Sequence, residues 1–414
     1  MMERSILLLS DFVFLYPLFM SFVWIIGSLI FYFRNERNKN LVPQLDVYPL
    51  FSIVVPCHNE EKQIKGTIQN LLKLDYPHYE IVAIDDGSTD ATAKILHELS
   101  EQHGRVRAVY IRENGGKGAA LNTGCLVANG ELLMTLDADA FLDKDALRWM
   151  AWHFVKFPRV GAVTGNPRVL NRTSLIARIQ IGEYASIIGM VKRTQRILGK
   201  ILTVSGVVAA FRRQAVISSG MWSSDMITED IDITWKLEKR SWDIRYEPKA
   251  VCWILVPETI KGLWRQRLRW AQGGIEVLLR HIDIWQSWRQ RRLWPVYIEY
   301  VVTVFWVYIF WALALMWLLS AISGTDLLPI KIPPPIPPRW TGALLALVCL
   351  MQFGVSMYMD NVYEKKFFRY IFWVIWYPFI YWMINALTVV VAAPRALLKR
   401  KGKKAVWKSP DRGL

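Results

Sequence analysis

Apolar and polar positions divide the chain into blocks of two kinds. Phe12 to Phe33 runs without a charged side chain, about the length that crosses a bilayer as a helix. The flank Arg34-Asn-Glu-Arg37-Asn-Lys39 is mostly basic, which puts that end in the cytoplasm and the N-terminus outside. A cleaved signal peptide is the competing reading, but the run is long and no small-residue cleavage pattern follows it. Residues 1–40 are therefore expected to be a membrane helix with its flank. Residues 40–50, with Pro43 and Pro49, read as a linker.

From Phe51 the pattern changes. Phe51–Pro56, Tyr79–Ile84, Val106–Ile111 and Leu132–Leu136 are short apolar runs bounded by turn residues, as buried strands are. Between them Glu60–Leu74, Thr89–Leu99 and Gly116–Ala128 have helical spacing. Strands alternating with helices predict a mostly parallel sheet with helices on both faces, an α/β domain over 41–257. Further on the pattern predicts a helix over 143–155, a strand over 160–164, a β-like run over 202–211 broken at Ser205-Gly206, and two short strands around Pro248. Thr228 is placed to cap a helix running to Leu237. Residues 175–197 are helical and semi-apolar, with Arg178, Lys192, Arg193 and Arg196. They lie across the top of the domain or touch the lipid surface.

Residues 258–292 mix Trp264, Trp270, Trp285 and Trp288 with many basic residues, the signature of amphipathic helices at the headgroups. Within the membrane region 293–395, residues 294–322 and 340–359 have the length to span, joined by a proline-rich connector from Pro329 to Pro338. Residues 370–394 also have the length to cross. A crossing there, however, leaves the basic tail 396–414 outside, against the positive-inside rule. Pro378 mid-segment suggests a kink or a re-entrant pair of short helices, and the side of the C-terminus stays open.

The composition agrees: 53% of the 414 residues are hydrophobic, 20 are Trp, and the formal charge is +16. With apolar runs of this length a membrane accounts for the basic balance better than nucleic acid, which is not an expected partner. Cys57, Cys125, Cys252 and Cys349 are too far apart for a metal or redox pair, and the six histidines are scattered.

The acidic clusters carry the chemistry. Asn59-Glu60, Asp85-Asp86 and Asp137-Ala-Asp139 each follow a predicted strand, where an α/β sheet forms its ligand crevice. Asp137 and Asp139 offer hard oxygen ligands for Mg²⁺ or Mn²⁺ against a diphosphate; alone, such a pair is often a solvated loop. Asp85 or Asp86 can accept a hydrogen bond from a uracil or ribose, or can form an Asx turn. Lys117, in Gly115-Gly-Lys-Gly118, can approach a diphosphate or sit in a plain turn. Glu229 and Asp230 at a helix start can supply a general base, or can simply favour the helix dipole. Gln266, Arg269 and Trp270 share a helix face. There Arg can neutralise a leaving diphosphate and Trp can stack on a sugar, unless the helix only anchors the domain.

Asp86, Asp137-x-Asp139, Thr228-Glu229-Asp230 and Gln266-x-x-Arg269-Trp270, in this order with membrane helices behind them, resemble the processive family 2 glycosyltransferases. That group holds the cellulose, hyaluronan and chitin synthases. Gly161–Arg168, Gln180–Tyr184, Met226–Asp232 and Leu263–Gly274 are more similar still to the members that make amino-sugar polymers of bacterial biofilms.

The resemblance implies a GT-A-like fold inserted between membrane helices in the bacterial inner membrane, catalytic domain inside. It implies UDP-N-acetylglucosamine as donor and a β-1,6-linked N-acetylglucosamine polymer pushed across the membrane. It assigns uridine to Asp86 with Asp85 and Glu60, and diphosphate and metal to Asp137 and Asp139. Asp230, beside Glu229, is the base, and Gln266, Arg269 and Trp270 form the donor–acceptor junction. The implied partners are the growing polysaccharide, a small membrane subunit, periplasmic and outer-membrane export components, and cyclic di-GMP acting through the subunit. A hyaluronan- or chitin-type synthase is the alternative within the class. A non-processive transferase acting on a lipid carrier, and a transporter or scaffold with an inactive transferase fold, are the others.

Overall fold

The computed structural model of the chain describes residues 2–37, 41–323, 340–364, 367–377 and 381–399. The proline-rich connector, Pro378 and the tail beyond Lys399 lie outside them.

A long apolar helix, α1 (Met2–Phe31), leads into the transferase-sized block. There β1 (Phe51–Cys57), α2 (Ile64–Leu71), β2 (Tyr79–Asp86), α3 (Thr92–Gln102), β3 (Val106–Ile111), α4 (Lys117–Val127) and β4 (Leu132–Leu136) alternate as the pattern predicts. Next come β5 (Phe141–Leu142), α5 (Ala146–Lys156), β6 (Val160–Val169) and α6 (Leu175–Glu183). A π-helical turn, Tyr184–Met190, joins α6 to α7 (Val191–Leu198). Then follow β7 (Val208–Arg212), α8 (Arg213–Ser218), α9 (Glu229–Lys239) and β8 (Asp243–Ile254).

Among the described residues the strands form one eight-stranded sheet in the order β3-β2-β1-β4-β7-β6-β8-β5. The β3-β2-β1-β4 half is parallel, as expected. The other half is mixed: β7 runs antiparallel to β4 and to β6, and β5 antiparallel to β8. Pro248 does not divide its strand. β8 is continuous and absorbs the proline as a register shift opposite Thr164–Asn166, as a bulge allows. Two apolar clusters fill the two faces of the sheet, one around Ile53, Leu71, Met134 and Met150, the other around Val54, Leu121, Phe211 and Leu237.

Helix α10 (Ile260–Arg280) and two short 3₁₀ turns, Ile282–Gln286 and Trp288–Gln290, follow. Trp285 and Trp288 are exposed and pack on Trp294 where α11 (Trp294–Ser323) begins. Then come α12 (Trp340–Asp360), α13 (Ile371–Val374) and α14 (Trp382–Leu398). Among the described residues three helical stretches are long and apolar enough to cross a membrane: Arg4–Glu36, Trp294–Ile322 and Thr341–Asp360.

The described residues of the 370–394 stretch hold α13 and the 17-residue α14, each short of the ~20 residues of a full crossing. Trp382 at the start of α14 packs against Trp306 and Phe310, near the middle of α11. At its other end Lys399 reaches Glu276 of α10 at 2.7 Å and the Asp225 carbonyl at 2.7 Å. The segment therefore returns to the domain it left.

Two of the four basic residues of 175–197 lie inside the protein rather than on its surface. Lys192 and Arg193 are buried. Arg193 pairs with Glu36 at 2.6 Å and Asp360 at 2.8 Å, and Arg168 of β6 also holds Asp360, at 2.6 Å. Glu364 pairs with Arg172. This hub ties the cytoplasmic ends of the first and third candidate spans to β6 and α7.

Candidate active site

Glu60, Asp85, Asp86, Asp137 and Asp139 fall at or just beyond the carboxyl ends of β1, β2 and β4. On the β2 side both Asp86 oxygens accept backbone N–H bonds at 2.9 Å, one from Gly115 and one from Gly116. Gly116 takes φ +86°, a backbone that glycine adopts without strain. The His58 ring donates through Nδ1 to the Asp86 carbonyl at 2.8 Å. Burial pushes the Asp86 carboxyl up, and the two N–H bonds pull it back. Asp86 thus holds the turn that starts α4, with a second lone pair on each oxygen left for a ligand. Asp85 and Glu60 are buried beside it.

That turn delivers Lys117 into the acids. Its ammonium lies 2.6 Å from Asp137 Oδ1, 3.2 Å from Glu229 Oε1 and 3.3 Å from the Gly206 carbonyl. Burial alone lowers a lysine pKa; Asp137 and Glu229 overcome it and hold Lys117 charged, above the usual lysine range. Asp139 is buried at the same loop. Among the described residues no three His, Cys, Asp or Glu side chains converge as metal ligands. Asp137 and Asp139 provide two hard carboxylates, a partial donor set that fits Mg²⁺ or Mn²⁺ once a diphosphate adds its oxygens.

Asp230 stands in the first turn of α9. Its Oδ2 accepts the Gly206 N–H at 3.2 Å and its Oδ1 the Ile231 N–H at 3.0 Å. A Cβ on Gly206 would stand 3.0 Å from Asp230 Oδ2, so the close approach depends on glycine. Burial, then Glu229, raises the Asp230 pKa to about 6, while Lys117 and Arg269 pull it down. Thr228 does not cap the helix as expected: its side chain makes no capping bond. It packs instead against Gly273, where a Cβ would come within 2.4 Å of the Thr228 methyl. The close approach of α10 takes the hydroxyl away from the cap.

Helix α10, capped by Thr259 through the Gly262 N–H at 3.0 Å, carries the last three candidates. Arg269 is exposed, and its charge bears on Asp230. Trp270 lies under the Arg267 guanidinium, 4.2 Å from ring centroid to carbon. Gln266 Oε1 is buried without a hydrogen-bond partner among the described residues. The structure adds residues that sequence reasoning missed. Buried Arg267 donates to Glu183 at 2.6 Å, and Tyr381 and Asn385 donate to the same carboxylate at 3.1 and 3.0 Å. A lone acid in the apolar 181–190 run was the available signal. Lys192, below Asp230, carried no such signal.

Residues 49–273 match the family model "Glycosyltransferase like family 2". With the fold and the crevice in place, the chain belongs to the family 2 glycosyltransferases. It is 42% identical over 410 residues to the poly-β-1,6-N-acetyl-D-glucosamine synthase of Staphylococcus aureus (strain COL), covering 97% of this chain and 98% of that protein. The synthase of Staphylococcus epidermidis (strain ATCC 35984) is similar to the same extent. In shape the chain resembles a mannosyltransferase from Pyrobaculum calidifontis solved with GDP-Man and Mn²⁺. The TM-score is 0.63 at 21% identity, over 95% of this chain and 100% of that one; this supports the fold alone. The chain is a multi-pass inner-membrane protein with its catalytic domain on the cytoplasmic side, inserted between membrane helices.

Proposed function

We propose that the chain is a processive, inverting N-acetylglucosaminyltransferase. It polymerises N-acetylglucosamine from UDP-N-acetylglucosamine into a β-1,6-linked chain and passes the product outward. The observation that carries this reading is near full-length similarity to the staphylococcal synthases. The crevice supports it by gathering Asp137, Glu229, Asp230 and Lys117 on one edge of the sheet.

The 6-hydroxyl of the terminal sugar attacks the donor's anomeric carbon. A new C–O bond forms as the C–O bond to phosphate breaks, and UDP leaves with that electron pair. Asp230 takes the hydroxyl proton. One base and one displacement invert the anomeric centre. Lys117 and Arg269 offset charge on the departing diphosphate. Asp137 and Asp139 would hold Mg²⁺ or Mn²⁺, which when bound stabilises the leaving group. Asp86, Asp85 and Glu60 shape the uridine end. Trp270 and Gln266 face the donor–acceptor junction, with Glu229 keeping Lys117 in place. A small membrane partner, export components and cyclic di-GMP control belong to this proposal through the family resemblance alone.

The test uses inverted vesicles with Mg²⁺ and one labelled UDP-sugar at a time. Long product from UDP-N-acetylglucosamine alone, cut by a β-1,6-hexosaminidase and abolished by EDTA, is expected. Product cut only by chitinase, or needing two donors, would replace the polymer named here and keep the class. Single-sugar transfer to lipid would remove processivity.

A further inference from the structure

Lys192 is a buried ammonium in a place that the transfer reaction does not obviously use. Among the described residues its one hydrogen-bond partner is Thr164 Oγ1 of β6, at 3.1 Å. The same hydroxyl accepts the Ser205 N–H at 2.8 Å. The next residue, Gly206, gives its N–H to Asp230 at 3.2 Å and its carbonyl to Lys117 at 3.3 Å. A continuous path of polar contacts therefore runs from α7 through Thr164 and the Ser205-Gly206 turn to the proposed base. Residues beside Lys192 tie the same helix to the membrane spans, since Arg193 joins Glu36 and Asp360 and Thr194 donates to the Trp24 carbonyl at 2.9 Å.

Burying an ammonium with a single neutral partner is costly. A lysine kept there for packing alone would be better replaced by methionine. Burial lowers the Lys192 pKa to about 7, and Asp230 is the charged group that holds it up. The charges bearing on Asp230 are Glu229, Lys117 and Arg269 from the crevice, with Lys192 on the side of α7.

We propose that Lys192 is a positioning residue for the general base: through Thr164 and the Ser205-Gly206 turn it fixes the Asp230 carboxylate, and its buried charge keeps that carboxylate ionised. The proposal rests on the reading of Asp230 as base. The sign is consistent. Near pH 6, where Asp230 gains its proton, a lysine titrating at about 7 is charged. Removing that charge makes the carboxylate easier to protonate, so the acid limb of the rate profile moves to higher pH.

The experiment measures UDP release by the purified full chain in lipid nanodiscs, with UDP-N-acetylglucosamine and Mg²⁺, from pH 5 to 8.5. Turnover by the wild type and its loss in Asp230→Asn establish the underlying reading; turnover retained in Asp230→Asn would end that reading whatever Lys192 does. Lys192→Met is expected to move the acid limb of kcat/KM up by about half to one pH unit, with donor KM unchanged, and Lys192→Arg to restore it. A lowered rate with an unshifted limb would leave Lys192 as packing and overturn the proposal. If Lys192→Met does not fold, Thr164→Val and Thr164→Ser decide. The valine variant is expected to shift the limb and the serine variant to keep it; an unshifted limb in valine overturns the proposal.

Discussion

Two charge clusters lie on either side of α7, and they behave differently. At the membrane junction Arg168, Arg172 and Arg193 meet Glu36, Asp360 and Glu364, three cations against three anions. Arg193 and Asp360 have side chains 0% exposed. In the crevice Asp137, Asp139, Glu229 and Asp230 outnumber Lys117 and Arg269. Matched charges held by short bonds in the interior fix geometry. Burial and the neighbouring Glu229 raise the Asp230 pKa to about 6, and the surplus of acids leaves room for a cation. The first arrangement holds helices and the second is available for chemistry.

The comparison breaks first at Asp230. Asp230→Asn should lower turnover by about 10²–10⁴-fold while thermal unfolding of the solubilised protein stays near wild type. A crevice variant that unfolds the protein instead would erase the distinction. At the hub the reverse is expected: Arg193→Met leaves two buried carboxylates short of a cation and should destabilise by ~3–5 kcal/mol, read as a lower unfolding midpoint.

The third test is pH. Asp230 must be ionised to accept a proton. Activity should therefore be full well above pH 6 and fall about tenfold per unit below it. Gly206→Ala sharpens the picture further. Its methyl would press on Asp230 Oδ2 from 3.0 Å, and a carboxylate displaced by a few tenths of an ångström should cost roughly tenfold in kcat. The smallest effect belongs to the exposed pair Lys239–Asp283: Asp283→Asn should change stability by less than ~1 kcal/mol, measured in the same melts.

The parallel half of the sheet was legible because each strand there is a short, largely apolar run bounded by turn residues. So were the three candidate spans. The positions of Asp85, Asp86, Asp137 and Asp139 were legible too, because they end or follow those strands. The mixed half was not. β7 joins the sheet between β4 and β6, and nothing in Val208–Arg212 itself names its neighbours. Lys192 and Arg193 read as surface charges on a basic helix, and only their partners on β6, α1 and α12 reveal them as interior. Glu36 sits in a flank read as basic. Thr228 has the composition of a cap and is drawn away by Gly273.

The sequence alone therefore determined the order of elements, the membrane runs and the identity of the acids. These depend on local spacing and on transfer of apolar groups from water, both written along the chain. Tertiary structure decided which acids share a cation, which stay partly open to solvent, and where α14 turns back to the domain. Those outcomes depend on distances between residues far apart in sequence, such as the 192 positions separating Arg168 from Asp360, and a charge is reactive or structural according to what those distances place beside it.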